Sequence, residues 1–343
     1  MAASPFPALA SAVRAVRDGV IFLVCGALVC VAIQRCLPFP QPAGIYQKYE
    51  FFAQHRDEYD ALFLGSSRFY HHIIPRQFDA AVAGATGREV RSFNFGYDAM
   101  WPPESYYMVR QLLALRPARL RWVIIDMMDI NPRLDERNTT TLRHAYWHDW
   151  RHTRMAMEEI LRTVRKPDER WRLLSQHAEH LGKQWLNFGR GADLLGERLL
   201  AKTKKWSPPK DWIDAEGFNP GPALGLTGKV RADFERTAER LRGGLRPSPL
   251  SPVLHAAMSE LIGEIHAAGA QPVFVLSPTL STRENFTGLP EGAPLLAFND
   301  PQVYPQLFDP DLRYDAWHLN ERGAVLFTDA LARRFAEWLG SGL

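Results

Sequence analysis

Two short segments, about 250 residues apart, carry side chains that together could run acyl chemistry. Leu62-Phe63-Leu64-Gly65-Ser66-Ser67-Arg68 is an apolar run that enters a turn of small residues and presents a serine. Asp315-Ala316-Trp317-His318-Leu319-Asn320 sets a carboxylate three residues ahead of a histidine, with Gly323 close behind. A serine hydroxyl is a weak nucleophile until a base takes its proton. His318 is the candidate base, and Asp315 can accept from its Nδ1 and hold the tautomer. An attacked carbonyl needs two or more donors for the negative charge that develops on its oxygen. The N–H of Ser67 is one candidate, because a strand-to-helix turn leaves it unpaired. A backbone N–H in the Gly96–Ala99 turn is the second.

These residues need a scaffold, and the apolar pattern supplies one. Asp60–Leu64, Arg88–Phe95, Trp122–Met127 and Pro272–Leu276 are short apolar or alternating runs that predict strands. Pro102-Pro103-Glu104 opens a helix that Pro117 ends, with proline and an early acid as start signals. Leu254–Ala268 predicts a helix capped by Gly269, and Ala324–Leu339 a closing one. Strand–helix alternation with nearly continuous apolar strands implies an α/β fold of three layers, α/β/α, around a central parallel sheet. Ligands of such a sheet bind beyond the C-terminal ends of its strands. Ser67 follows the first strand and Asn94-Phe95-Gly96 ends the second, so the chemistry-bearing residues fall at that edge.

The chain of 343 residues is long enough for one domain with an insertion or for two domains. A net charge of +3 argues against nucleic acid as a partner. Residues 19–34 carry no charge, and Arg14 and Arg17 precede them while Arg35 closes them. Such a run predicts a transmembrane signal anchor at 19–37. A cleaved signal peptide is the competing reading, though no small-x-small cleavage site follows. Arg14 and Arg17 place residues 1–18 in the cytoplasm and the rest outside it. Pro38, Pro40 and Pro42 make 38–57 a linker that leads into a domain at 58–343. All three cysteines, Cys25, Cys30 and Cys36, lie in or beside the apolar run, so there is no disulfide framework to read. Residues 133–250 break the alternation. They hold 23 Lys and Arg against 16 Asp and Glu, and read as a helical insertion over the site, interrupted at Ser207-Pro208-Pro209 and at Gly217–Gly228. Their charge is that of a solvated helical surface, or of a face toward anionic lipid or polymer.

At these positions the chain resembles the SGNH (GDSL-type) hydrolase superfamily, whose fold is flavodoxin-like. The first block of that family, an apolar strand followed by Gly-Asp-Ser, maps to Gly65-Ser66-Ser67, with Ser66 in the place of the aspartate. Its last block, Asp-x-x-His, maps to Asp315 and His318. Asn94 matches the leading asparagine of the second block, and the glycine whose N–H serves the oxyanion falls at Ala99 by spacing or at Gly96 if the turn differs. The third block, Gly-x-Asn-Asp, meets Asp126-Met127-Met128-Asp129-Ile130-Asn131. Asn131 is therefore one residue out of register, and the glycine is missing. The resemblance implies catalysis by Ser67, Asp315 and His318, and an oxyanion held by Ser67, Gly96 or Ala99, with Asn131 as a further donor.

Within the superfamily the N-terminal anchor and the Gly-Ser-Ser start look closest to cell-envelope members. Those include alginate O-acetylation proteins and the D-alanine transfer protein of teichoic acids. The implied reaction is acyl transfer through a seryl ester, to water or to a polysaccharide or lipid hydroxyl. It implies no metal or organic cofactor, and a membrane-bound O-acyltransferase as partner. The implied location is a bacterial cytoplasmic membrane with the domain on the periplasmic side. A non-catalytic envelope subunit that binds through the same groove, and a soluble intracellular esterase, are the alternatives.

Several residues carry weaker signals. Arg68, His71 and Asn94 are candidates for substrate contact. Arg68 could instead pair with Asp98, His71 and His72 could pack beside Tyr70, and Ser67 could be a plain helix cap. His144, His148 and His152 recur every fourth residue and would stack on one helical face. With no further ligand signalled, a polar face beside Tyr146, Trp147 and Trp150 is the better reading than a zinc site.

Overall fold

The computed structural model describes residues 7–36, 42, 44–138, 141–187, 216–281 and 283–341. Its strands, in chain order, are β1 (Ala61–Leu64), β2 (Ser92–Asn94), β3 (Trp122–Asp126), β4 (Ser248–Pro249), β5 (Gln271–Leu276), β6 (Phe286–Thr287) and β7 (Leu295–Ala297). Five of them form one sheet in the order β2-β1-β3-β5-β7, and every neighbouring pair is parallel. β4 and β6 make a separate parallel pair. The four expected strands are present. The second shrinks to Ser92–Asn94, and the fifth sheet strand, β7, is too short for periodicity to reveal.

The helices are α1 (Pro7–Cys36), α2 (Ile45–His55), α3 (Ser67–His72), α4 (Pro75–Thr86), α5 (Glu104–Ala114), α6 (Leu142–Trp147), α7 (Trp150–Thr163) and α8 (Pro167–Trp185). They continue with α9 (Gly228–Arg242), α10 (Pro252–Ala267) and α11 (Glu321–Gly340). Alternate strand residues point to opposite faces of a sheet. Leu62, Leu64, Val123, Ile125, Phe274 and Leu276 accordingly pack with α5 and α10 through Val109, Leu112, Met258 and Leu261. Ala61, Phe63, Ile124, Val273 and Val275 pack with α4 and α11 through Phe78, Val82, Phe327 and Leu331. Both faces of the sheet are thus dry, which is why its strands read as unbroken apolar runs.

Two expected segments take another form. The 38–57 linker contains α2, whose Ile45, Lys48 and Phe52 are buried. These positions fall on one helical face, so α2 is part of the core; Pro38 and Pro40 lie outside the described residues. The described part of 133–250 is mostly helical, but α6 packs on α5 and α8, and α7 on α8 and α10, which thickens one flank. What reaches the Ser67 side is the stretch after 215. There the Asn94 N–H donates to Glu216 O, and the Asn219 N–H donates to Tyr70 O. The proline break at 207–209 lies outside the described residues.

α1 extends further than the apolar run suggests. Ser11–Cys36, 26 residues with mean hydropathy 2.2, has none of its window buried and is long and apolar enough to cross a membrane. At 1.5 Å per residue it rises about 39 Å, against a hydrocarbon core of roughly 30 Å. Near its end it meets the soluble part. Gln34 Nε2 donates to Gln184 O at 3.1 Å, and Asn187 Nδ2 donates to Cys30 O at 3.1 Å.

Gly65 is where β1 hands over to α3, and it leaves no space for a side chain. A Cβ there would stand 2.3 Å from Asp126 Cβ and 3.1 Å from Phe69 Cγ. Asp126 ends β3 and is fully enclosed, so it cannot retreat without moving the strand. Gly65→Ala is therefore expected to destabilise the fold by about 1–3 kcal/mol, the usual range for overpacking. A urea denaturation midpoint equal to that of the wild type would contradict this packing.

Candidate active site

Ser67 opens α3 directly after the Gly65-Ser66 turn. Ser66 is the N-cap: its Oγ accepts from the Arg68 N–H at 3.2 Å. The same Oγ donates to Asp126 Oδ2 at 2.6 Å, and the Ser66 N–H donates to that oxygen at 3.3 Å. Ser66 O accepts the N–H groups of Phe69 and Tyr70. The Ser67 N–H has no acceptor among the described residues, as expected for an amide in the first turn of a helix. Burial pushes the Asp126 carboxyl up, against the pull of Arg68 and the two Ser66 bonds.

The second half of the site is a tight loop before α11. Arg313 and Leu319 form an isolated antiparallel bridge. Tyr314 N–H donates to His318 O at 3.3 Å, and Asn320 N–H donates to Leu312 O at 2.9 Å. Asn320 then caps α11 by accepting from the Gly323 N–H at 3.0 Å. A Cβ on Gly323 would lie 2.4 Å from Leu312 O, which accounts for glycine at that position. Inside the loop, Asp315 Oδ1 accepts the N–H groups of Trp317 at 2.7 Å and His318 at 2.8 Å.

Asp315 Oδ2 lies 2.8 Å from His318 Nδ1, and His318 Nε2 lies 2.7 Å from Ser67 Oγ. The hydrogen-bond network assigns the tautomer. Asp315 can only accept, so Nδ1 carries the proton and Nε2 is free to accept from the Ser67 hydroxyl. Burial pushes the Asp315 carboxyl up, but its bond from His318 and the two backbone N–H groups outweigh that and hold it below its usual range. Ser67 and His318 are both half-buried, so a solvent-borne molecule can reach them. This arrangement can deprotonate a serine as it attacks a carbonyl.

Neighbouring rings hold His318 in place. Tyr314 stacks on it with centroids 5.4 Å apart and planes 8° from parallel. His71 and His72 stand edge-on to it, each with centroids 6.0 Å away. His72 Nε2 accepts the Leu319 N–H at 2.9 Å, so its proton sits on Nδ1, and burial holds its pKa well down. His72 is thus a neutral spacer that ties α3 to the residue after His318.

The expected substrate contacts need correction. Arg68 forks onto Glu284 at 2.7 and 3.1 Å inside the protein, and not onto Asp98. Asn94 is fully buried and saturated. Its Nδ2 donates to Phe69 O at 2.7 Å and Ile73 O at 2.8 Å, and its Oδ1 accepts the Gly96 N–H at 2.8 Å. His71 does lie beside His318, but its two nitrogens are engaged by Asn219 O at 2.7 Å and Asp98 at 3.1 Å.

The Asn94 bond also decides the oxyanion turn. It occupies the Gly96 N–H, so Gly96 is not available as a donor. The Ala99 N–H, in the left-handed conformation at φ 54°, has no acceptor among the described residues and remains the turn's candidate. Asn131 Oδ1 accepts from the Arg133 N–H at 3.0 Å, and its own N–H donates to Pro102 O. Its carbonyl end is therefore committed locally, and only its amide nitrogen is left over as a donor.

Helical stacking of His144, His148 and His152 is also corrected. The helix breaks between α6 and α7, because Asp149 caps α7 through the His152 N–H at 2.8 Å. His148 then pairs with His177 at 2.8 Å, whereas His152 faces Asp149 at 2.7 Å and Arg110 at 2.7 Å. Lys48 and Tyr314 are the neighbours of the site that its motifs did not announce, whereas His72 was already in view beside His71. For Lys48 a signal did exist, since it shares the apolar face of α2 with Ile45 and Phe52.

Replacing Asp315 by Asn keeps the shape but presents an amide N–H₂ or carbonyl to Nδ1, which no longer enforces the tautomer. Asp315→Asn is expected to slow reaction of Ser67 with an acyl-type probe by about 10⁴-fold, the cost found where such a tautomer is lost. Because the Asp315 carboxyl is depressed on folding, its stabilising contribution is present above its unfolded value of about 3.9 and is lost as pH falls through the folded value. The stability gap between wild type and Asp315→Asn should close below about pH 4; a gap that stays constant to lower pH in denaturant titrations would contradict a stabilising role for the hydrogen-bonded carboxylate. No protein-family model matches the chain, and no curated protein matches it.

Proposed function

We propose that this protein is a membrane-anchored serine esterase or O-acyltransferase of the SGNH type, acting on cell-envelope polysaccharide or lipid. The observation that carries the reading is the unbroken chain of bonds from Ser67 Oγ to His318 Nε2, 2.7 Å, and from Nδ1 to Asp315, 2.8 Å. Ser67 attacks an acyl carbonyl while His318 takes its proton. His318 then gives that proton to the leaving group, which frees it and leaves a seryl ester. In the second half His318 takes a proton from water or an acceptor hydroxyl, which attacks the ester, and returns that proton to Ser67 Oγ as the ester C–O bond breaks. The N–H groups of Ser67 and Ala99, with the Asn131 amide, are the donors for the oxyanion. The sheet order, with β2 and β3 on either side of β1, supports a flavodoxin-like frame, and 133–250 is its helical insertion. A membrane-bound O-acyltransferase is the partner that would deliver the acyl group.

A non-catalytic binding subunit could have Ser67 turned away from His318 or its groove filled by 133–250, and the 2.7 Å contact speaks against the first of these. A soluble intracellular esterase would bury residues 19–34, whereas α1 has no burial in its apolar window. Its location is the bacterial cytoplasmic membrane, with Arg14 and Arg17 inside and the domain on the periplasmic side. Trp185 and Leu186 support a domain that rests on the bilayer. They are 52% and 56% exposed beside Gln184 and Asn187, which bond to the last turns of α1. Tryptophan suits that interfacial depth.

Two measurements test the reading. A fluorophosphonate probe is expected to label the full-length protein, and labelling should vanish in Ser67→Ala and His318→Ala. A folded wild type that stays unlabelled would remove the catalytic reading. The protein should also resist alkaline carbonate extraction and require detergent, with its domain open to protease only from the periplasmic side. Release without detergent would remove the anchor.

A further inference from the structure

Lys48 is 1% exposed, and its ammonium nitrogen sits in a cage of main-chain carbonyls. It donates to Gly96 O at 2.6 Å, Gly217 O at 2.7 Å and Asn94 O at 3.0 Å. Below it lies the ring of Tyr70, 4.0 Å from nitrogen to centroid. A neutral amine has two N–H groups, so a third carbonyl would face its lone pair; three acceptors at these distances call for the ammonium. The cage is formed by two separate stretches of chain. Asn94 and Gly96 flank the end of β2, and Gly217 belongs to the stretch that runs past it. Gly217 has φ 90°, and a Cβ on it would lie 2.2 Å from Asn94 O, so the two backbones touch. Gly96 presses on α3 in the same way, with a would-be Cβ 2.5 Å from the Tyr70 N–H nitrogen. Without the ammonium, three carbonyls would converge with no donor between them.

We propose that Lys48 is a positioning residue of the active site: by binding Asn94 O, Gly96 O and Gly217 O it fixes the 94–99 turn, whose Ala99 N–H is the oxyanion donor of the proposed mechanism. This rests on the serine reading given above. Lys48 touches no reacting atom. It acts through the turn, whose other supports are Asn94 Oδ1 on the Gly96 N–H, Gly65 O on the Tyr97 N–H, and Arg143 on Asp98 O. The residue belongs to α2, the first helix after the membrane segment, so the same side chain ties that helix to the site.

A role of this kind has a pH signature. Burial lowers the Lys48 ammonium well below its ordinary value, against the attraction of Asp98. The other titratable groups around it are Tyr59, Tyr70, Tyr97, Tyr314, His71, Asp98 and Glu216. Burial pushes the four tyrosines up, and the His71 bond holds Asp98 down. Loss of the Lys48 proton would leave three carbonyls facing two N–H groups, and burial favours that loss.

The test uses the full-length protein in detergent and the rate of fluorophosphonate labelling as a function of pH. Lys48→Met fills the volume but has no donor. It is expected to stay folded by circular dichroism and to label about 10²-fold more slowly, as a misplaced catalytic group does. The wild-type rate should fall on the alkaline side, and Lys48→Met should lack that fall. A folded Lys48→Met that labels at the wild-type rate with the wild-type profile overturns the proposal while leaving the serine reading intact. A folded wild type that does not label overturns both. If Lys48→Met does not fold, the wild-type profile decides: a rate with no decline up to about pH 10, near the ordinary lysine value, overturns the proposal.

Discussion

Parallel pairing of β1 with both β2 and β3 is the constraint on which the rest of the structure depends. In a parallel sheet all strands end at the same edge, and each return must cross back, here through helices between β1 and β2, β2 and β3, and β3 and β5. The register pairs Phe63 with Asn94 on one side and Leu64 with Ile125 on the other. The turns that follow β1, β2 and β3 therefore open side by side. The Gly65–Ser67 turn and the 94–99 turn are neighbours for that reason, joined by the Tyr97 N–H on Gly65 O, although sequence separates them by some thirty residues. Both sheet faces are filled by apolar side chains, so the exposed C-terminal edge is where polar groups can gather.

At that edge the burden is to satisfy buried backbone groups, and each polar side chain near the site has such a task. Asn94 clamps two carbonyls of α3 and one N–H of its own turn. Ser66 caps α3 and holds Asp126. His72 accepts the N–H after His318. An unpaired buried polar group costs roughly 1–3 kcal/mol, so these bonds are what keeps the edge in one conformation. They also explain why residues that looked free to meet a substrate are engaged elsewhere. Arg68 is neutralised by Glu284 in the interior, which turns a presumed anion contact into a strut between α3 and the 279–286 loop.

The reading as an acyl-transfer site follows from the order in which those struts leave atoms over. After the structural bonds are assigned, the Ser67 hydroxyl and N–H, the His318 Nε2 lone pair and the Ala99 N–H are among the groups not taken up elsewhere. They are a nucleophile, a base and two donors. The same subtraction removes the Gly96 N–H, and it gives Lys48 a place behind the turn. α1, which is long and apolar enough to cross a membrane, shares two hydrogen bonds with the end of α8.

Much of this was legible in the chain. Leu62–Leu64 and Trp122–Asp126 are short unbroken apolar runs, and a buried parallel strand needs no other signature. Asp315-x-x-His318 followed by Asn320 and Gly323 encodes its own loop, because its bonds span only three residues: Asp315 to His318, Asn320 to Gly323. The apolar run from Val20 to Ile33 marks the middle of a helix, α1, that is long and apolar enough to cross a membrane. Other features became definite only in three dimensions. β7 has three residues and no pattern, so pairing with β5 alone makes it a strand. The helical face shared by His144, His148 and His152 was undone by Asp149, whose cap competes with helix continuation. Lys48 stood in the row with Ile45 and Phe52, yet a lysine on an apolar stripe has no meaning until three carbonyls from distant turns are seen to surround it. Local bonds are written in local sequence; the partners of a buried charge are chosen by how the sheet brings its loops together.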